Sequence, residues 1–177
     1  MKALINLLLL LIILSMNSCS KKDNCDNPVD CLPPATQTGE GTIGCLINGE
    51  VFKPGGSQFS GPTQQANYNT TFEGELYFSL IAINNKSNKA IGINISGIEI
   101  NQGDTYSLKY DEQTSKLVIY DSGFGIYETG RNLPGEIKFT KFDDINGIVS
   151  GTFWFDAINE EGEVAEIREG RFDMKYN

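Results

Sequence analysis

The sequence contains no histidine. That absence excludes Ser-His-Asp and Cys-His catalysis, HExxH zinc sites and a histidine general base near neutral pH. Tryptophan occurs once. Basic residues are scarce: 14 Lys and Arg stand against 23 Asp and Glu, a formal net charge of −9. Binding a nucleic-acid backbone requires Lys and Arg to displace its counterions, so nucleic acid is excluded as a partner. Helical periodicity is missing as well, with no apolar 3.6-residue pattern longer than two turns after the N-terminal segment.

What is present suffices for one folded domain. The chain has 177 residues, 40% hydrophobic and 21% charged, which supports a single core, whereas two domains would each have a thin one. Its start is a different matter. Met1-Lys2-Ala3 precedes an almost unbroken apolar run from Leu4 to Leu14. One positive charge before a short apolar stretch is the pattern of a secretory signal peptide, and the run is too short to span a bilayer. Leu14-Ser15-Met16-Asn17-Ser18-Cys19 resembles a bacterial lipobox, which implies lipidation of Cys19 and removal of residues 1–18. Acylation anchors a protein stably once two chains are buried, at about 0.8 kcal/mol per CH₂. Ser20-Lys21-Lys22-Asp23-Asn24 lacks the Asp that resembles an inner-membrane retention signal, and its charge cluster resembles the export tag of Bacteroidota surface lipoproteins. The resemblance implies outer-membrane attachment, on the periplasmic or the cell-surface face.

Residues 19–41 read as the lipidated cysteine and a flexible tether, rich in Pro, Gly, Asn and Thr and poor in large apolar residues. From residue 42 to 177 the pattern is that of a single all-β domain. Ile43, Cys45 and Ile47 alternate with Gly44 and Leu46, and Asn48-Gly49 signals a tight hairpin. Strands follow at Leu76–Ile83, Ile91–Ile95, Thr105–Tyr110, Leu117–Tyr120, Gly135–Phe142, Ile148–Ile158 and Val164–Tyr176. A phase slip at Ser96-Gly97, resuming at Ile98 and Ile100, predicts a β-bulge. Regular strands with Gly, Asn and Asp turns predict an antiparallel β-sandwich or an up-and-down β-barrel, including the lipocalin kind.

Leu32-Pro33-Pro34-Ala35-Thr36-Gln37-Thr38-Gly39, Gly44-Cys45-Leu46-Ile47-Asn48-Gly49, Ile148-Val149-Ser150-Gly151-Thr152-Phe153 and Gly170-Arg171-Phe172-Asp173 form a further set of motifs. Together they resemble a family of small Bacteroidota lipoproteins of unknown function. The resemblance implies no activity, and no catalytic or binding residue comes with it.

Few residues could carry chemistry. Export permits disulfides, and Cys25–Cys31 or Cys31–Cys45 are the pairings that fit, either leaving one thiol over. Cys45 alternates with Ile43 and Ile47 and reads as a small buried hydrophobe; no basic neighbour activates it. Asp156, Glu166 and Asp173 are the carboxylates a two-carboxylate glycan hydrolase would draw on. Their alternation with apolar residues reads them as solvated, outward-facing strand positions. Asp143-Asp144-Ile145-Asn146-Gly147 lacks the spacing of a calcium loop and reads as a hairpin turn. No cofactor is expected.

Aromatic residues are the more suggestive set. If Phe153 and Phe155 fill the core, Trp154 faces the other side of the sheet, where it lines a groove or packs under a loop or the tether. Tyr68, Tyr120, Phe124 and Tyr127 lie in or beside Gly- and Asn-rich segments and suit stacking on a sugar or an apolar ligand. The sequence therefore predicts a lipid-anchored envelope protein that is not an enzyme. Its expected role is binding a glycan, a small apolar ligand or an envelope protein; a carboxylate glycan hydrolase or a structural envelope protein is the alternative.

Overall fold

Alternating residues from Thr42 onward do become paired strands. A computed structural model describes residues 25–56, 61–110, 116–130 and 132–176. The described strands are β1 (Thr42–Ile47), β2 (Glu50–Phe52), β3 (Gln64–Thr70), β4 (Leu76–Asn84), β5 (Lys89–Ser96), β6 (Thr105–Ser107), β7 (Lys116–Asp121), β8 (Ile126–Glu128), β9 (Gly135–Asp143), β10 (Ile148–Ile158) and β11 (Val164–Lys175). All belong to one sheet in the order β2-β1-β11-β10-β8-β7-β5-β4-β3. β9 flanks β10 beside this path, and β6 flanks β9. Every ladder between them is antiparallel.

The sheet curls into a half-barrel. Its two ends approach through isolated parallel bridges, Gly55 to Asn84 and Ala66 to Tyr176. Period-2 alternation explains the curl's inner lining. Phe153, Phe155 and Ala157 of β10 point inward, as do Ala165, Ile167 and Phe172 of β11, and all are buried. Aromatic rings fill the concave side: Phe78 meets Phe139 edge-on at 5.0 Å, and Phe172 lies 6.0 Å from Phe139 and 6.4 Å from Phe153. That centre is a packed core with rings in the offset arrangements aromatic pairs prefer, rather than a lipocalin-style cup.

Local signals account for most turns. Asn48 and Gly49 have φ of 50° and 82°, the paired positive values of a type I′ hairpin. Ser96-Gly97 behaves differently from expectation. β5 stops at Ser96 instead of bulging, Gly97 turns the chain, and Ile100 drops into the core beyond the strand. The bulge sits in β11. Gly170 pairs with Phe153 and Ile167 with Phe155, so Arg168 and Glu169 together stand opposite Trp154. The same shift recurs against β1, between Gly44 and Leu46.

The strands begin at Thr42, and the segment before them follows a defined path from Cys25. From Cys25 the chain forms a disulfide-closed turn, Cys25 to Cys31, and then a strap across the outer face of β1 and β11. Leu32 is buried. Pro33 lies so close over β1 that a Cβ on Gly44 would come within 2.8 Å of its ring. Pro and Thr without a helical or strand pattern read as linker, yet the strap is held by acceptors and surfaces distant in sequence.

Candidate functional site

The strap ends on one carboxylate. Asp173 points to the outer face of β11 and is fully buried beneath residues 36–40. It accepts hydrogen bonds from Thr36 Oγ1 (2.7 Å), Thr38 N (3.0 Å), Gly39 N (2.8 Å), Glu40 N (3.2 Å) and Ser150 Oγ (2.7 Å). Burial alone would raise its pKa, but the bonds from Thr36, Ser150, Gly39 and Thr38 outweigh that and hold the carboxyl well below its usual range. Asp173 is therefore a structural anchor and not the solvated strand residue that alternation suggests.

The motif segments singled out in the sequence meet here. Ser150 pairs with Asp173, Gly151 with Phe172 and Phe153 with Gly170 across β10 and β11. A Cβ on Gly151 would fall 2.7 Å from the Phe172 ring, and one on Gly170 2.5 Å from that of Phe153. Each glycine makes room for the aromatic ring opposite. The Leu32–Gly39 segment closes over the same strand pair.

Beside the strap, on the outer face of β10 and β11, lies a groove of about 510 Å³ lined by Ala35, Thr152, Trp154, Arg168, Glu169 and Arg171. It gathers residues that are rare in this chain: the only tryptophan and two of the three arginines. Trp154 faces outward because Phe153 and Phe155 face in, as the alternation predicts. The Arg168 guanidinium lies 5.6 Å above its ring, a cation–π contact that fixes the indole as a wall.

The two arginines are held differently. Arg168 donates to the carbonyls of Phe155 (3.1 Å) and Ile167 (3.0 Å), to Asp156 Oδ1 (2.5 Å), and sits 3.5 Å from Glu166. Among the described residues the Arg171 side chain bonds along its own strand, to the Glu169 carbonyl (3.2 Å) and carboxylate (3.3 Å). Glu169 takes φ of 54° at the bulge, a left-handed conformation that a non-glycine residue adopts at a cost of order 1–3 kcal/mol. Bulges re-aim side chains and recur beside functional sites.

The other residues selected from sequence lie elsewhere. Tyr120 is buried and packs against Tyr127, its ring tilted by 35° at a centroid distance of 5.4 Å. Tyr127 reaches across the sheet to Glu163 at 3.1 Å, and burial with that bond raises its phenol pKa. Phe124 is fully exposed at the β7–β8 hairpin tip. Tyr68 packs edge-on against Phe142 at 4.9 Å. None of these four lines the Trp154 groove. Cys45 is free and buried, and burial pushes its thiol pKa up, which disfavours the thiolate. Asp156 and Glu166, cross-strand partners, both face Arg168. Asp143 is engaged by the side-chain and backbone N–H groups of Asn146 and by Lys141, which lower its pKa to about 2. That is hairpin-turn geometry. Among the described residues no three His, Cys, Asp or Glu side chains cluster as metal ligands. Cys19 and the signal segment lie outside the described residues.

Sequence reasoning missed Arg168, Glu169, Arg171 and Ala35. The available signal was scarcity: two arginines within four residues, in a chain with three, on the strand that follows the one bearing the tryptophan.

A family model described as a domain of unknown function (DUF6252) matches residues 57–174, about two thirds of the chain. The chain belongs to that family. The matched range includes the Ile148–Phe153 and Gly170–Asp173 motifs and stops short of the strap. No curated protein and no solved structure matches the chain.

Proposed function

We propose that this DUF6252 member is a lipid-anchored cell-envelope domain that binds a ligand in the Trp154 groove, and that it acts by binding rather than by catalysis. The observation that carries the reading is the groove itself. Its volume of about 510 Å³ falls in the range of small-molecule and glycan sites, roughly 300–1,000 Å³. Its wall is an indole immobilised by a guanidinium, and a bulge opens the strand beside it. Rigid aromatic walls with a few charged groups recognise ligands by shape and stacking at low entropic cost.

The carboxylates favour binding over hydrolysis. Asp173 is sealed under the strap with its oxygens occupied, and Asp156 is ion-paired. Neither is placed as a free acid or base. The interior of the half-barrel is filled, so a ligand approaches from the outer face.

The strap bears on anchoring at the outer membrane. With acyl chains on Cys19, six residue steps lead to Cys25, a reach of at most about 21 Å. The ordered strap thus shortens the tether and keeps the domain close to the bilayer, on its periplasmic or cell-surface side.

Two experiments test the reading. Radiolabelled palmitate enters the wild-type chain and is lost in Cys19→Ala; label retained in that variant overturns the anchor. A thermal-shift screen of glycans, fatty acids and metabolites yields a hit that disappears in Trp154→Ala. A ligand at about 100 times its Kd stabilises by about 2.7 kcal/mol. A hit that survives Trp154→Ala places binding elsewhere, and a flat screen rejects the small-ligand reading.

A further inference from the structure

Resting on the groove as the binding site, we infer that its ligand is a carboxylate-bearing carbohydrate of the uronic-acid type, whose carboxylate takes Arg171 over from Glu169. The two arginines are unequally committed. Arg168 is bound by two backbone carbonyls and by Asp156. It is part of the wall. Arg171 lies three residues along the same strand and lines the same groove, yet among the described residues its charged partner is Glu169 at 3.3 Å, whose side chain is 54% exposed against 19% for Arg171. Partly exposed pairs of this kind contribute little, about 0–1 kcal/mol. An incoming carboxylate that meets the planar guanidinium with two parallel bonds forms the stronger contact.

Glu169 then acts as a placeholder. It keeps Arg171 neutralised and oriented in the empty groove, and the left-handed backbone at the bulge sets the carboxylate beside it. The surrounding charge supports selectivity. In a chain of net charge −9, this groove has two guanidiniums within one face.

The topology decides between a sugar and an acidic peptide. Peptides commonly bind sheets by adding a strand to an open edge. β10 and β11 have no open edge here, since β11 is paired on both sides by β1 and β10, and β10 by β11 and β9 or β8. Recognition must come from side chains on the face. An indole wall next to the exchangeable Arg171 guanidinium, with Arg168 already bound to carbonyls and Asp156, matches a ring bearing one carboxylate.

The test titrates the full-length protein in detergent with oligogalacturonate and oligomannuronate, each beside its neutral methyl ester. Trp154, the chain's only tryptophan, reports occupancy by its fluorescence. The acids bind at least tenfold more tightly than the esters. Arg171→Gln abolishes that preference, and Arg171→Lys restores part of it. Glu169→Gln, which removes the competing carboxylate, tightens acid binding two- to fivefold. Esters binding as tightly as acids overturn the inference and leave the groove as a neutral-sugar site. Oligoglutamate binding as tightly as the uronates overturns it in favour of an acidic peptide. No fluorescence or calorimetric response to acid or ester overturns both this inference and the glycan form of the proposed function.

Discussion

Gly170 and Phe153 face each other across β10 and β11 with no room for a methyl group between them. A Cβ on Gly170 would stand 2.5 Å from the ring and 2.5 Å from the carbonyl oxygen of Phe153. The pair lies directly under the bulge, so core packing and groove shape are set by the same contact.

Gly170→Ala therefore destabilises the domain by about 1–3 kcal/mol through overpacking. Phe153→Leu does not rescue it, because the backbone oxygen is as close as the ring. Urea midpoints of the two single variants and the double variant check this; full rescue by Leu would show that only the ring is crowded.

The strap is the next dependence. Asp173→Asn replaces an acceptor of five hydrogen bonds with a group that has only one oxygen. The expected loss is roughly 3 kcal/mol, since bonds to charged groups contribute about 1.5–3 kcal/mol and buried donors are left unmatched. A chain starting at residue 42 should show a comparable loss against one starting at residue 25. Equal denaturation midpoints for the two chains would mean that the strap contributes nothing to stability.

Acid should weaken the fold with a definite sign. Asp173 and Asp143 both ionise more readily in the folded protein than in the unfolded chain. Their contributions are complete above the unfolded carboxyl value, about 3.9, and are lost as pH falls through the folded values. Asp143's share is gone below about pH 2, and Asp173's persists lower. Urea midpoints from pH 7 to pH 2 should fall below pH 4, with a shallower slope in Asp173→Asn. Tyr120 and Tyr176, whose pKa values are raised by burial first, give the opposite limb: their stabilisation is complete below about pH 10 and fades above it.

Glu169→Gly relieves the left-handed strain at the bulge. Against the added entropy of glycine in the unfolded chain, a net gain of about 0.5–1 kcal/mol follows. Melting temperature rises while the Arg171 ion pair is lost. A decrease in melting temperature would show that the Glu169 side chain contributes more than its backbone costs.

Cys45 should resist thiol reagents in the native state, being completely buried. In a Cys19→Ser chain, labelling should need denaturant, with a single thiol modified. Rapid native labelling would contradict the buried position.

The sequence alone was enough for most of the strands and their facing, β3 and β8 excepted. Alternation around Phe153-Trp154-Phe155 and at Ile43, Cys45 and Ile47 is a local property, and Asn48-Gly49 encodes its own turn. β3 escaped notice because Gln64–Thr70 is mostly polar and turns only Ala66 and Tyr68 toward the core. The β5 end was misread because a glycine phase slip looks alike whether a strand bulges or stops. The strap, the sealed Asp173 and the Trp154–Arg168–Arg171 groove were decided only in three dimensions. Thr36 and Asp173 lie 137 positions apart, and nothing local in either residue encodes the other. Strand order brought them together, and the extra residue at Glu169 placed two side chains opposite one. Periodicity specifies which way a residue points, whereas register and closure specify what it meets.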